Sequence, residues 1–141
     1  MGLIQKVLVP TDFSTNADKA LEFAMTLAAS CQASLHLLYV DDDPLLNSPT
    51  TSEDFRAKFE DRMASTLASL LDDEHRRSLR TEYAVARGDA AMEIVDYAAE
   101  HEIDLIVVGT KGRSSIADIL LGSVANKVVH KAKCPVVTVR P

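Results

Sequence analysis

The chain has 141 residues, of which 47% are hydrophobic and 26% are charged, and it contains no tryptophan. This length fits one domain, residues 1–141, with a single sizeable core. A net charge of −6 argues against non-specific affinity for nucleic acid or anionic membranes, so a bound anion would need a local site. We expect no membrane insertion, because no apolar run approaches the roughly 18 residues of a membrane span.

The two cysteines and the first ten residues indicate the cellular compartment in which we expect the protein. Cys31 and Cys134 are too few and too far apart in sequence to predict a disulfide framework or a zinc site. The opening segment MGLIQKVLVP does not have the layout of a signal peptide. We therefore expect a cytoplasmic protein whose cysteines are small buried residues.

Extended and helical patterns alternate along the first half of the chain. The aliphatic segment KVLVP predicts a strand at residues 6–10 that stops at a proline, since proline cannot donate to a ladder. Apolar residues then recur at helical spacing over residues 14–30. ASLHLLYV, residues 33–40, predicts a second strand, and a loop at 41–52 follows it. The helix expected next, over about residues 53–71, has an apolar face formed by Phe55, Phe59, Met63, Leu67 and Leu70.

The same alternation continues in the second half. TEYAVARG, residues 81–88, predicts a third strand, and Asp89 then caps a helix. DLIVVG, residues 104–109, is continuously apolar, which predicts a fourth strand buried on both faces. Residues 123–132 predict a short helix, and PVVTV, residues 135–139, predicts a fifth strand.

Strands that alternate with helical connections predict a parallel sheet, because parallel strands need long crossovers. The expected fold class is α/β: a single-domain, doubly wound, Rossmann-like sheet of five parallel strands, in the order 3-2-1-4-5, with helices on both faces. In such sheets ligands bind beyond the carboxyl ends of the strands, where the strand order reverses. The segments PTD and GTKG, which follow strands one and four, would then face each other across that crevice.

Three of the five glycines lie in one stretch, GTKGRSSIADILLGS, as Gly109, Gly112 and Gly122. Glycine allows a positive φ and a close approach of the backbone to a ligand, and its N–H groups can point at phosphate oxygens. Ser123 opens a helix, whose N-terminus attracts an anion. Lys111 and Arg113 add local positive charge. The alternative is that the glycines only form a turn and precede a helix.

The glycine spacing matches the motif G-x2-G-x9-G-[ST], and the chain resembles the universal stress protein family over nearly its whole length. The segments KVLVPTDFSTNADKALEFA and CPVVTVRP resemble the family's first strand and helix and its last strand. The resemblance implies an ATP-binding member, with ADP or AMP as alternative ligands and Mg²⁺ held through the phosphates. It also implies a nucleotide-dependent regulator in stress response, with little or no turnover.

The resemblance further implies which residues bind the nucleotide. Pro10, Thr11 and Asp12 would hold the adenosine, with the Asp12 carboxylate available for a ribose hydroxyl or the adenine edge. Val40 corresponds to a backbone position that contacts adenine. The ribose and phosphates would be wrapped by the residues Val108, Gly109, Lys111, Gly112 and Arg113, together with Gly122, Ser123, Val124 and Ala125.

Several residues have a second interpretation. Asp12 is also a candidate N-terminal cap for the first helix. The acidic run Asp41–Asp43 could hold a metal, although acidic runs in loops are usually solvated. We expect the four histidines to be structural or surface residues, because no pair has ligand spacing. Lys127 is expected, with the other cations of the last helix, near that helix's negative pole.

Enzyme motifs are missing from the sequence. It contains no GxxxxGK[ST] and no GxSxG, and within the glycine stretch Asp118 is the only carboxylate, with no histidine beside it as a base. We therefore predict no catalytic residue. The rival functions are a dimeric interaction scaffold of the same fold with an empty crevice and, less favoured, a slow ATPase.

The fifth strand predicts a homodimer. In the order 3-2-1-4-5 the segment Pro135 to Val139 lies at an edge of the sheet, where backbone groups are unpaired. Two copies related by a two-fold axis could pair there, and the family resemblance implies the same dimer, with a higher oligomer as an extension. We expect a regulated protein as a further partner, which the sequence does not identify.

Overall fold

A computed structural model describes residues 2–111 and 121–141. Within these residues, five parallel strands form one sheet in the order β3-β2-β1-β4-β5, so the predicted fold class and strand order are confirmed. The elements in chain order are β1 Lys6–Thr11, α1 Thr15–Cys31, β2 Ser34–Asp41, α2 Glu53–Ser69, α3 Asp73–Ser78, β3 Thr81–Arg87, α4 Ala90–Glu100, β4 Leu105–Gly109, α5 Ser123–Lys131 and β5 Val136–Val139.

The strands are apolar on both faces because both faces are covered by helices. Side chains alternate along a strand, so Val7 and Val9 pack toward α1 while Leu8 packs toward α4 and α5. β4 is buried from Leu105 to Val108, as its continuous apolar run predicts. The sheet therefore separates two hydrophobic clusters, and its carboxyl edge is where loops from both sides meet.

Two features differ from the prediction. The short helix α3 was not predicted, because none of its residues is buried and a polar segment has no apolar periodicity. The apolar face predicted for α2 is only partly covered: Leu67 is fully buried, whereas 52% of Phe55 is exposed. Burial along α2 therefore increases toward its C-terminal end. No helix among the described residues is long and apolar enough to cross a membrane.

Candidate functional site

The segment PTD leaves β1 through a tight turn that its own side chains stabilise. Thr11 Oγ1 accepts a hydrogen bond from the Phe13 backbone N–H at 3.0 Å, and Asp12 Oδ1 accepts one from Ser14 N–H at 2.9 Å. Phe13 has a left-handed backbone, with φ of 64°, and its ring lies 5.1 Å from that of Tyr39. A non-glycine residue in this conformation is strained and often lies at a functional site.

The interpretation of Asp12 as the cap of α1 is wrong. The cap is Ser14, whose Oγ accepts a hydrogen bond from the Ala17 backbone N–H at 3.1 Å. Asp12 lies two residues earlier, half-buried, in the turn between β1 and α1. Its carboxylate therefore lies at the carboxyl edge of the sheet, where the family resemblance expects it.

Three predicted residues share one face of three adjacent strands. Val40 in β2 and Val108 in β4 belong to the cluster under α4 and α5. Pro10 follows Leu8 by two positions in β1, so it lies on the same face. Because β1 lies between β2 and β4, the sheet brings these residues together at its carboxyl end.

The structure explains why residue 109 is a glycine, and the sequence did not show this explanation. A Cβ added to Gly109 would lie 2.8 Å from Oδ1 and 2.9 Å from Cγ of Asn16, so the glycine makes room for that side chain. A positive φ is not the reason for glycine here, since Gly88 is the one glycine with positive φ among the described residues. Gly122 has a φ of −65°, so a positive φ does not explain the glycine there either.

The N-terminus of α5 differs from those of the other described helices. The helices α1 to α4 each begin with a Ser or Asp whose side chain accepts a hydrogen bond from the first turn. α5 begins at Gly122, which has no side chain to accept one. Unpaired N–H groups and the helix dipole favour an anion at such an end. Ser123 opens this helix, as predicted, and it is exposed together with Val124, whereas Ala125 is buried.

A cavity of about 380 Å³ borders this helix end. Its size lies within the range of about 300–1000 Å³ that is usual for small-molecule sites. The loop after β2, the start of α4 and the start of α5 enclose it. The lining residues are Asp42, Asn47, Gly88, Asp89, Ala90, Ala91, Ser123, Val124 and Lys127.

Most of this lining was missed by sequence reasoning, which predicted only Ser123 and Val124. Gly88 lines the cavity with a φ of 132°, a conformation that favours glycine, so the glycine after β3 was the available signal. Lys127 was assigned to the negative pole of α5, but it lies in the middle of that helix, one turn after Ser123, and lines the cavity. That assignment is wrong for Lys127.

Lys111 is half-buried, and its backbone N–H donates to Asn16 Oδ1 at 2.7 Å. Gly112 and Arg113 lie outside the described residues. In the acidic run, Asp41 Oδ1 accepts from the Asp43 backbone N–H, and Asp43 Oδ1 accepts from Leu45 N–H. Within the described part of the chain, no three His, Cys, Asp or Glu side chains form a group that could hold a metal ion.

Sequence comparison identifies the family. The sequence model of the universal stress protein family matches residues 3–140, and the chain belongs to this family. Universal stress protein YxiE of Bacillus subtilis is 30% identical, in an alignment that covers 98% of this chain and 100% of YxiE.

Solved structures agree with the fold. Universal stress protein UspA from Lactobacillus plantarum superposes with a TM-score of 0.75 at 33% identity, covering 97% of this chain and 98% of UspA. A universal stress protein solved in complex with cAMP superposes with a TM-score of 0.71 at 27% identity, covering 97% of each chain. The matched family and the strand order are therefore those that the sequence predicted.

Proposed function

We propose that this chain binds an adenine nucleotide, ATP or its products ADP and AMP, in the crevice at the carboxyl ends of β1 and β4. The observation that carries the proposal is the N-terminus of α5: it lacks a side-chain cap, lies at Gly122 and Ser123 of the family motif, and borders a cavity of about 380 Å³. The cAMP complex of a relative 27% identical to this chain supports a nucleotide as the ligand class.

The residues divide between the two ends of the nucleotide. The Asp12 carboxylate suits a ribose hydroxyl or the adenine edge, because ionised oxygens make the stronger hydrogen bonds. Pro10, Val40 and Val108 form an apolar face beside it. We expect the N–H groups of Ser123 and Val124 to bind phosphate oxygens at the positive pole of α5.

Cations and the remaining motif residues complete the phosphate end of the proposed site. Lys127 lines the cavity, and its charge would attract phosphate into an otherwise acidic protein. Gly109, Lys111 and Ala125 would supply backbone at this end, whereas Thr11 would contact the adenosine beside Asp12. Gly112 and Arg113 remain predicted contacts from the motif. If Mg²⁺ accompanies ATP, we expect the phosphates and water to hold it.

We propose a regulatory function in stress response with little or no turnover. The ionisable residues that line the cavity are Asp42, Asp89 and Lys127. Asp89 already accepts a hydrogen bond from the Met92 backbone N–H, and phosphoryl transfer needs a group that orients water or an acceptor. We expect hydrolysis well below about 1 per second, the low end of the usual enzyme range. A faster rate that is lost on mutation of a cavity residue would contradict this prediction and favour an ATPase instead.

Calorimetry of the purified protein with ATP, ADP and AMP tests the proposal directly. We expect binding of at least one of them at or below millimolar concentration, and mass spectrometry after gentle denaturation should reveal co-purified adenine nucleotide. A folded protein that binds none of them at millimolar levels would contradict nucleotide binding and favour the interaction scaffold.

We also propose that two copies pair along β5. Among the described strands, β5 pairs with β4 alone, and it therefore forms an edge of the sheet. The carbonyls of Pro135 and Val139 accept hydrogen bonds from β4 and the residue after it. The backbone groups of Val136 and Thr138 therefore point to the open edge. Antiparallel pairing across a two-fold axis would satisfy both copies.

Thr138→Pro tests this dimer with little change elsewhere. The substitution removes the outward N–H in the middle of the edge, and Thr138 is exposed, so the hydrophobic clusters are not altered. Sedimentation should show a dimer for the wild type and for the control Thr138→Ala, and a monomer for Thr138→Pro. A monomeric wild type at tens of micromolar would rule the dimer out.

A further inference from the structure

Asn16 lies in the first turn of α1, and its side chain joins two segments that are distant in sequence. The residue is 7% exposed. Its Nδ2 donates to the Val139 backbone carbonyl at 2.9 Å, and its Oδ1 accepts from the Lys111 backbone N–H at 2.7 Å. One buried amide therefore connects the end of the edge strand β5 to the beginning of the glycine stretch.

Asn16 is also the side chain that requires glycine at Gly109. A Cβ at Gly109 would approach Oδ1 and Cγ of Asn16 within 2.8 and 2.9 Å, and the Asn16 carbonyl within 3.2 Å. Contacts between a Cβ and other heavy atoms are longer than this in protein interiors, so alanine at this position would displace the amide. The first glycine of the family motif therefore accommodates Asn16 in this protein.

The hydrogen bonds of Asn16 continue into both ends of the glycine stretch. The Thr110 N–H donates to the same Val139 carbonyl at 3.0 Å, and the Thr110 carbonyl accepts from the Gly122 N–H. Gly122 is the residue that precedes α5. A continuous series of hydrogen bonds, through the Val139 carbonyl and Thr110, therefore connects Asn16 to the N-terminus of α5.

We propose that Asn16 is a positioning residue that couples the nucleotide crevice to the dimer edge. The proposal rests on the proposed nucleotide binding and extends it to a residue outside the glycine motif. When the Asn16 amide is removed, the Lys111 N–H loses an acceptor in a half-buried position, and β5 loses a bond at its last residue. The affinity for nucleotide and the self-association should then weaken together, since both depend on the same amide.

Two substitutions at Asn16 separate its contacts. Asn16→Asp keeps an oxygen for the Lys111 N–H but replaces the donor to Val139 by a second oxygen, which repels that carbonyl. Asn16→Ala removes both contacts. We expect Asn16→Asp to weaken self-association tenfold or more while changing AMP affinity by less than threefold, and Asn16→Ala to weaken both by about tenfold.

A matched control separates positioning from loss of stability. Leu71→Val removes a methylene from a fully buried side chain that is not a predicted site residue, and it should lower the melting temperature. AMP affinity should be unchanged in this variant. If Asn16→Ala affects AMP affinity and self-association no more than Leu71→Val does, Asn16 is only a stabilising residue and the proposal is wrong.

The contact with Gly109 supplies a rescue experiment. Gly109→Ala alone should lower AMP affinity and melting temperature because its Cβ displaces the Asn16 amide. In the double variant Gly109→Ala with Asn16→Ala, the second substitution removes the two closest atoms, so the loss should be smaller than the sum of the single losses. Additive losses would overturn the assignment of Gly109 to Asn16.

Amide hydrogen exchange keeps this inference distinct from nucleotide binding itself. In the nucleotide-free protein, the Lys111 amide should exchange at least tenfold faster in Asn16→Ala than in the wild type, and the control Leu71→Val should leave it unchanged. If the wild type binds no adenine nucleotide, the proposed function fails. Two measurements on the nucleotide-free protein, hydrogen exchange of the Lys111 amide and self-association, then decide whether Asn16 is a positioning residue. Unchanged exchange and self-association in Asn16→Ala would overturn it.

Discussion

The helices α4 and α5 pack on the same face of the sheet and begin at the same cavity, but their N-termini are built differently. At α4, Asp89 Oδ2 accepts a hydrogen bond from the Met92 backbone N–H at 3.0 Å, and the carboxylate also places negative charge at the positive pole. At α5, the corresponding position is Gly122, which has no side chain. The first helix end is satisfied within the chain, whereas the second is suited to an anion from outside.

Side chains near the C-terminal end of α4 also have partners within the chain. The Tyr97 hydroxyl lies 2.7 Å from Nδ1 of the buried His36, and the rings of Tyr97 and His101 are stacked at 3.8 Å. Burial raises the pKa of Tyr97 to about 12, so the phenol stays neutral. α4 is thus bonded at both ends to groups of its own chain. The comparison is therefore between a helix with partners in its own chain and α5, whose N-terminus has no side-chain cap.

The largest effect is expected from giving α5 the cap that α4 has. In Gly122→Asp the new carboxylate should accept a hydrogen bond from the Ala125 N–H and repel phosphate, and together these effects should lower AMP affinity by about 100-fold or more. The control Gly122→Asn supplies a cap without charge and should lie between the wild type and Gly122→Asp in calorimetry. Equal affinities in all three proteins would place the phosphate elsewhere.

A smaller effect is expected from the cation beside the uncapped end. Lys127→Ala should weaken AMP binding about tenfold, or about 1.4 kcal/mol, and should reduce the dependence of the affinity on salt. Lys131→Ala is the matched control, since Lys131 lies in the last turn of the same helix and does not line the cavity. Titrations at two salt concentrations measure both quantities, and the same loss in both variants would mean a general effect of net charge.

Removing the cap of α4 should lower stability, and it should not weaken binding, because the Asp89 carboxylate that lines the cavity would repel phosphate rather than hold it. Asp89→Ala should lower the free energy of unfolding by about 0.5–2 kcal/mol, whereas Asp89→Asn retains a cap and should cost less. Denaturant unfolding measures the difference, and calorimetry with AMP provides the second readout. If Asp89→Ala abolished nucleotide binding instead, the ligand would depend on α4, and the contrast between the two helices would not hold.

The smallest effect concerns the histidine under α4. Burial lowers the pKa of His36 below its ordinary 6.5, and the charges of His101 and Lys6 lower it further, while Glu82 opposes them. The unfolded chain therefore takes up a proton at higher pH than the folded protein does, so stability is lost as the pH falls below about 6.5. His36→Gln should show a smaller decrease in melting temperature between pH 7.5 and 5.5. The control His130→Gln changes an exposed histidine and should behave like the wild type. If the melting temperature of His36→Gln falls as much as that of the wild type, groups other than His36 cause the decrease.

Much of the fold could be predicted because its signals lie within a few residues of each other. The cap at Asp89 depends on a side chain next to the first turn of α4, and both this cap and the start of a helix at Ser123 are confirmed. The burial of β4 follows from four adjacent apolar residues, Leu105 to Val108. The exposure of Phe55 could not be predicted in this way, since helical periodicity identifies an apolar face but not how far the sheet extends beneath it.

By itself, the sequence determined the order and type of most elements, the parallel sheet and the location of Gly109 and Gly122 at a carboxyl edge. Only the tertiary structure decided that Gly109 accommodates Asn16, that Ser14 and not Asp12 caps α1, and that Lys127 lines a cavity with residues after β2 and β3. The physical reason is distance along the chain. Periodicity and capping act between residues one to four positions apart, whereas Asn16 contacts residues 95 and 123 positions away, which become neighbours only when the strands take their order in the sheet.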